Sequence, residues 1–315
     1  MDVTNKKAYP IHNVDGLNTE FPTIWSNDAT TASTTNKATT QRFVDNNDKT
    51  SVKRVYWGKD PNYDNKDNDK TALNAEFNYV ANANVKEDPD NPLYCLENTF
   101  NLDNMKQGQT TRVVFKATYK PASLPEGEKT FYKIGKNTDI WREADLEKEI
   151  KAAVASVVSG AAGKTTVTLN APNNNITAAG THYITADNIS VTDATITPEN
   201  ITAINTQLGL NESKKVGIST YEGGESYYIA RIKHFGDDLT QWKSGTYGEN
   251  NLEYLGRYGV LRNNWYVLTV QSVSGPGYPS VPEVKPNTPD DEDDNYINVS
   301  VKILSWAKRS QDVNL

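Results

Sequence analysis

The last twenty residues of the chain carry the pattern that most constrains its fold. Apolar and polar side chains alternate from Tyr296 to Leu304, and this period of two predicts a β-strand with one apolar face. An acidic, proline-containing stretch, residues 282–295, separates the strand from the rest of the chain. Such a strand must pair with a sheet edge of its own domain or of another molecule. The side chains on its apolar face are Ile297, Val299, Val301 and Ile303.

The composition argues against several classes of protein. A chain of 315 residues is long enough for two modest domains or for one β-rich domain with large insertions. The formal charge is -7 and no Lys/Arg block occurs, which argues against nucleic acid or an anionic membrane as a partner. Cys95 is the only cysteine, so an internal disulfide and a cysteine-based zinc site are excluded.

No apolar run reaches the roughly 18 residues of a membrane-spanning helix, and no signal peptide follows Met1. We interpret Met1 as an expression start after a removed leader rather than as a cytosolic start.

Short strands dominate the predicted secondary structure, which favours an all-β sandwich. Two helices interrupt it. One covers residues 146–157 and ends before Gly160, and the other has Thr197 as N-cap and Pro198 at its first position. The predicted strands cover residues 51–57, 93–100, 111–119, 165–169, 182–185, 189–196, 227–235 and 264–273.

The sequence offers no recognisable catalytic, cofactor or metal site. His12, His182 and His234 are the only histidines, no two have metal-ligand spacing, and we interpret them as structural. Residues 60–65 begin like a calcium loop, but Gly is missing at the sixth position and Thr71 stands where a bidentate Glu is needed. A nucleophile elbow, a P-loop and a dinucleotide fingerprint are also missing from the sequence. We therefore predict a protein that is not an enzyme and holds no metal or cofactor.

Two other functions stay open at this stage. Exposed aromatic side chains suit sugar stacking, so a monomeric surface carbohydrate-binding or adhesin module is the main alternative, although we expect most tryptophans to be in the core. A secreted glycan hydrolase is a weaker alternative, because spacing in sequence does not reveal which carboxylates are paired. The tryptophans considered are Trp57, Trp141, Trp242, Trp265 and Trp306.

Several motifs resemble one family of surface proteins. The segment YGVLRNNWY at residues 258–266 is followed by LTVQSVSGPG at 268–277, the acidic linker and the terminal strand. Residues 94–99 and 110–119 carry a further part of the likeness. Together these segments resemble the fimbrillins, the structural subunits of Bacteroidales type V pili, and are most similar to the major-subunit branch of the minor (short) fimbrium. The resemblance extends over about 93–120 and 217–315.

The resemblance implies transthyretin-like Greek-key β-sandwiches, with the few short helices in an insertion at about 139–210. Residues 1–92 then correspond to the latter part of an N-terminal fimbrillin domain, or to a reduced one. Residues 93–281 form the C-terminal sandwich, 282–295 the acidic linker, and 296–315 the final strand with a C-terminal donor segment. In this family a lipoprotein precursor is exported and loses an N-terminal strand to a protease. The vacated groove then accepts the C-terminal segment of the next subunit.

Joined to the strand pattern, the resemblance suggests a division of labour within the last twenty residues. Residues 296–304 complete the chain's own domain, and residues 306–315 project as donor, anchored by Trp306, Val313 and Leu315. The alternative is that the whole segment folds back onto its own domain. The implied function is that of a pilus stalk subunit in an outer membrane-attached, extracellular fimbria that supports adhesion and biofilm formation. Its partners are other copies, anchor and tip subunits, and host glycans or proteins.

Overall fold

The computed structural model describes residues 1–11, 57–60, 62–63, 69–81, 85, 91–135, 139–169, 181–214, 216–234, 257–290 and 297–305. The strands are β1 (Thr4–Asn5), β2 (Tyr9–Ile11), β3 (Trp57–Lys59), β4 (Phe77–Asn78), β5 (Arg112–Thr118), β6 (Phe131–Ile134), β7 (Thr165–Val167), β8 (Thr181–His182), β9 (Ile189–Val191), β10 (Ile218–Tyr221), β11 (Glu225–Arg231), β12 (Asn264–Val273) and β13 (Ile297–Ser305). The α-helices are α1 (Lys70–Glu76), α2 (Glu143–Val157) and α3 (Pro198–Gln207), and short 3-10 helices cover Leu102–Asn104, Ala186–Asn188 and Glu222–Gly224.

The two longest strand pairings of the described chain are antiparallel. β5 pairs with β11 from Arg112↔Arg231 to Thr118↔Glu225. β12 pairs with β13 along its whole length, with a bulge between Val270 and Ser272. Other described strands form small antiparallel sheets: β1–β4, β2–β3, β7–β9 and the order β6–β10–β8. Strands outnumber helices, so the prediction of an all-β chain is confirmed at this coarse level, and the transthyretin-like topology stays a prediction.

An insertion with its own core lies between β5 and β11. It contains α2, α3 and strands β6 to β10. Both predicted helices are confirmed, and Thr197 caps α3 by accepting a hydrogen bond from the backbone N–H of Asn200. The apolar faces of the two helices pack with the small sheets into the largest apolar cluster of the described residues. This cluster contains no residue of the β5–β11 pair, so the insertion has a core of its own. The members of the cluster that are 0% exposed are Tyr132, Leu146, Ile150, Val154, Ala161, Ile204 and Ile218.

A second, smaller core joins distant parts of the chain. Val3, Leu73, Phe77 and Val284 pack together, so the start of the chain, α1 and the start of the acidic stretch meet in one place. Asp290 is 0% exposed, and its carboxylate accepts a hydrogen bond from the Thr110 hydroxyl at 3.0 Å. Residues 282–290 therefore lie against the body, whereas 291–296 fall outside the described residues. The domain boundaries inferred from the sequence stay predictions.

The strand predictions differ in accuracy. The prediction for residues 264–273 coincides with β12, and the one for 111–119 differs from β5 by one residue at each end. The strand predicted over 93–100 is wrong, because residues 92–97 are irregular and only Asn98 makes an isolated bridge, to Val260. Of the stretch 51–57, only Trp57 lies within the described residues, at the start of β3.

Candidate assembly site

The predicted apolar face of the terminal strand lies in the β12–β13 ribbon, the two-stranded sheet of Asn264–Val273 and Ile297–Ser305. All four predicted residues are paired with apolar or aromatic partners across the ribbon. Apolar side chains opposite each other on one face stabilise a strand pair. That these residues complete the chain's own domain stays a prediction. The cross-strand pairs are Ile297↔Val273, Val299↔Val270, Val301↔Leu268 and Ile303↔Tyr266.

The apolar face of the ribbon is only partly covered. Val270 and Val273 are 43% and 44% exposed, and Val299 and Val301 are half-buried. None of the ribbon's residues belongs to an apolar core cluster of the described chain. A fully packed sandwich strand would have one face buried, so this ribbon retains apolar surface for a further partner.

The start of β12 is fixed to the body through Tyr266. Its hydroxyl accepts the backbone N–H of Leu261 at 3.0 Å and lies 2.7 Å from Nδ1 of His234. Desolvation lowers the pKa of His234, which favours the neutral ring, and the hydrogen-bond network assigns Nδ1 as the acceptor of the Tyr266 proton. Desolvation also raises the pKa of Tyr266, so the hydroxyl keeps its proton.

An ion pair fixes the chain on the N-terminal side of β12. Glu97 accepts hydrogen bonds from Nε and Nη2 of Arg262 at 2.8 and 2.9 Å, and from the Arg262 backbone N–H at 3.0 Å. Two parallel hydrogen bonds to a carboxylate give a defined geometry as well as attraction. This pair joins Glu97 to the chain two residues before β12.

The segment next to this ion pair is unexpectedly apolar and open. Leu93, Tyr94 and Leu96 are 62%, 73% and 39% exposed. Cys95 is also exposed, although desolvation by its neighbours raises the pKa of its thiol. The sequence predicted a strand here, whose backbone would pair with a neighbouring strand. The structure instead presents them to solvent.

The donor anchors Trp306, Val313 and Leu315 lie outside the described residues. Of the tryptophans considered for sugar stacking, Trp141 packs partly buried against the insertion core and Trp265 is 47% exposed. Trp242 also lies outside the described residues. Only the backbone of Trp57 is described.

The described part of the chain contains no group of three His, Cys, Asp or Glu residues that is able to hold a metal ion. Asp60, from the calcium-like stretch, is buried, and burial raises the pKa of its carboxyl. The carboxylate accepts hydrogen bonds from the backbone N–H groups of Asn62 at 2.9 Å and Thr99 at 2.5 Å. Asp60 thus joins two loops of the fold. His182 is buried in β8.

Among the helices that the structure describes, none has the length and apolar character needed to cross a membrane.

A comparison with protein-family models finds a match in the C-terminal part of the chain. Residues 219–312, less than half of the chain, match the family model described as major fimbrial subunit protein type IV, fimbrillin, C-terminal. The matched region begins at the second residue of β10 and contains β11 to β13, and therefore the whole ribbon. A search of curated proteins finds no match. Fimbrillins are structural, non-enzymatic subunits of surface fimbriae that assemble with other subunits, and the match supports a fimbrillin family for this chain.

Proposed function

We propose that this chain is a stalk subunit of a cell-surface fimbria and that it polymerises head-to-tail by donor-strand addition. The family match to residues 219–312 supports the fimbrial part of this proposal. The position of β13 supports the mechanism: it is a long strand at the end of the described chain, and it leads directly into residues 306–315.

The ten residues after Ser305 have the length that a donor needs. Fully extended, they span roughly 33 Å at about 3.3 Å per residue, which is more than one strand of a small sandwich requires. The donor's backbone N–H and C=O groups would pair with a sheet edge of the neighbour, and alternate side chains would set the register. Trp306, Val313 and Leu315 are the proposed anchors.

Head-to-tail strand addition makes a filament because each subunit uses one surface to give and another to accept. Such a contact does not close on itself and propagates. The donated strand also covers an edge that would otherwise invite uncontrolled aggregation.

The remaining features of the proposal follow from the resemblance to Bacteroidales type V pili, and to the minor-fimbrium branch in particular. The subunit is exported as a lipoprotein precursor and ends in an outer membrane-attached fimbria. It joins further copies of itself and the anchor and tip subunits, and the fimbria supports adhesion to host glycans or proteins and biofilm formation.

Deletion of residues 306–315 tests the mechanism. We expect the deleted chain to form no filaments by electron microscopy while the monomer melts at an unchanged temperature. The substitution Ser310→Ala, which keeps every proposed anchor, is the matched control and should polymerise normally. A large fall in the melting temperature of the deleted monomer would instead mean that the segment folds back onto its own domain.

A further inference from the structure

The outer edge of β12 is open in the part of the chain that the structure describes. β12 is hydrogen-bonded to one strand, β13, and β13 in turn lies beside β11. Among the described residues, no further strand and no isolated bridge lies on the other edge of β12. A strand edge presents a row of backbone N–H and C=O groups and is a template for pairing with another strand.

One half of β12 also has both of its faces open. Residues 269–273 are all exposed, although successive side chains of a strand point to opposite faces. A two-stranded ribbon is only marginally stable by itself, and it gains stability from a third strand or from packing against another element. The β12–β13 ribbon is therefore a strand pair that a further strand would stabilise.

The ten residues of β12, NWYVLTVQSV, include no charged side chain. The three other described strands of seven residues or more, β5, β11 and β13, each contain at least one. Charged side chains on an edge are one of the means by which strand edges are kept from pairing with each other. A strand of high β-propensity without charge, proline or glycine is the kind that pairs with its own copies.

The pattern of β12 matches itself in the antiparallel direction. Its pairing with β13 is regular from Asn264 to Val270, before the bulge. A second copy, related by a two-fold axis beside Val267, would continue the sheet over these seven residues. Each opposed pair would then combine aromatic, aliphatic or β-branched side chains, which are favourable cross-strand partners. The central pairs would be Trp265 with Thr269, Tyr266 with Leu268, and Val267 with its own copy.

We propose that the edge of β12 is a self-association surface and that its occupant is the β12 edge of a second copy of this chain. The two ribbons would form one four-stranded antiparallel sheet across the two-fold axis. A contact of this symmetry closes on itself, so it makes a dimer and not a filament. The proposal goes beyond the proposed function, because the contact is made by β12 and requires no strand donation.

A cysteine at the two-fold axis tests the contact directly. Val267→Cys is made in a Cys95→Ser background, which removes the native thiol, and the full-length chain is oxidised with diamide. We expect a disulfide-linked dimer on a denaturing gel, because directly opposed Cβ atoms lie about 4.5–5.5 Å apart. Thr118→Cys in the same background is the control, because Thr118 is exposed on β5, outside the proposed contact, and should remain largely unlinked.

A charge at the same position tests the pairing by repulsion. Val267→Glu places a carboxylate opposite Lys302 in the chain's own ribbon, so the monomer should keep its melting temperature. In the dimer the two carboxylates would face each other. We expect the dissociation constant, measured by sedimentation equilibrium at concentrations that give no filaments, to rise about tenfold or more. Val267→Thr is the matched control, because it keeps a β-branched side chain without a charge, and it should dimerise like the wild type.

Three results would overturn the proposal. Disulfide formation in Val267→Cys no greater than in Thr118→Cys would show that the two β12 edges do not meet. A dissociation constant unchanged by Val267→Glu would place the dimer contact elsewhere on the chain. A wild-type chain that stays monomeric would leave the β12 edge to a different partner. Val267→Cys dimers in a chain that forms no filaments would support this contact and overturn strand donation alone.

Discussion

Arg112 and Asp2 form an ion pair in which both side chains are 1% exposed. Nη2 of Arg112 lies 2.7 Å from Oδ2 of Asp2 and also donates to the carbonyl of Pro282 at 2.8 Å. The other Asp2 oxygen, Oδ1, accepts the backbone N–H groups of Val3 at 3.0 Å and Val80 at 2.7 Å. Burying two charges is costly, and these extra hydrogen bonds are what make the pair tolerable.

Removing one partner of this pair should be severely destabilising. Asp2→Ala leaves the Arg112 charge buried without its counter-ion, and we expect the free energy of unfolding to fall by about 3–5 kcal/mol in urea titrations. The control is Lys151→Ala, which removes the exposed pair with Glu147 on α2 and should change stability by no more than about 0.5 kcal/mol. Equal losses in the two variants would contradict this account of Asp2.

His182 makes stability depend on pH. It is 2% exposed, its Nε2 has no hydrogen-bond partner among the described residues, and desolvation lowers its pKa below the ordinary 6.5. As the pH falls below 6.5, the unfolded chain gains a proton at this position before the folded chain does. The free energy of unfolding therefore falls as the pH is lowered. Well above pH 6.5 both forms are neutral and the residue adds no pH dependence.

We therefore expect the melting temperature of the wild type to fall between pH 6.5 and about 5, and to fall less steeply in His182→Gln. His234, whose pKa is also lowered by desolvation, contributes in the same direction, so part of the slope should persist in the variant. Identical slopes in the two proteins would show that His182 is not the group responsible.

Among the elements, β12 illustrates what a local pattern predicts well. Its run of aromatic and β-branched residues ends before the Gly-Pro-Gly segment at 275–277, as the sequence predicts. The structure adds that Asn263, with a positive φ of 60°, precedes its first residue. Residues 93–97 illustrate the opposite. Their composition favours a strand, but the bidentate contact of Glu97 with Arg262 holds them beside β12 outside any ladder.

Gly277 shows how closely the end of the 264–277 segment approaches β11. A Cβ at this position would meet the Tyr227 carbonyl oxygen at 2.2 Å, and the neighbouring Tyr278 exchanges two backbone hydrogen bonds with Tyr227. Gly277→Ala should therefore lower the free energy of unfolding by about 3 kcal/mol and accelerate amide exchange at Tyr227 and Tyr278. Exchange at these two amides as slow as in the wild type would refute the explanation.

The control for this substitution is Gly163→Ala. Gly163 has a positive φ of 75° but open space around it, so alanine there meets only the conformational cost, about 1 kcal/mol. The comparison sets the steric clash at Gly277 against a purely conformational cost at Gly163.

On the scale of the whole molecule, the described residues form separate apolar cores. The insertion core contains Ile150, and the core that joins the start of the chain to residues 282–290 contains Leu73. Both side chains are 0% exposed. The connection between the cores runs through the β5–β11 pair, so we expect each core to loosen without the other.

Truncation of each core side chain tests this. Ile150→Ala and Leu73→Ala should each cost about 2–5 kcal/mol. In hydrogen exchange, Ile150→Ala should loosen residues 131–221 more than β11, and Leu73→Ala should loosen α1 and β4 while leaving α2 protected. Equal loosening of both regions in either variant would show that the chain behaves as one cooperative unit.

The sequence by itself determined the terminal strand, β12, both helices of the insertion with the Thr197 cap, and the likeness to fimbrillins, because each depends on periodicity or on side chains adjacent in the chain. Only the tertiary structure decided that residues 282–290 pack against the body, that Asp2 meets Arg112, and that Leu93, Tyr94 and Leu96 are exposed. These features depend on contacts between residues far apart in sequence, and their free energies come from burial and pairing that no local pattern encodes.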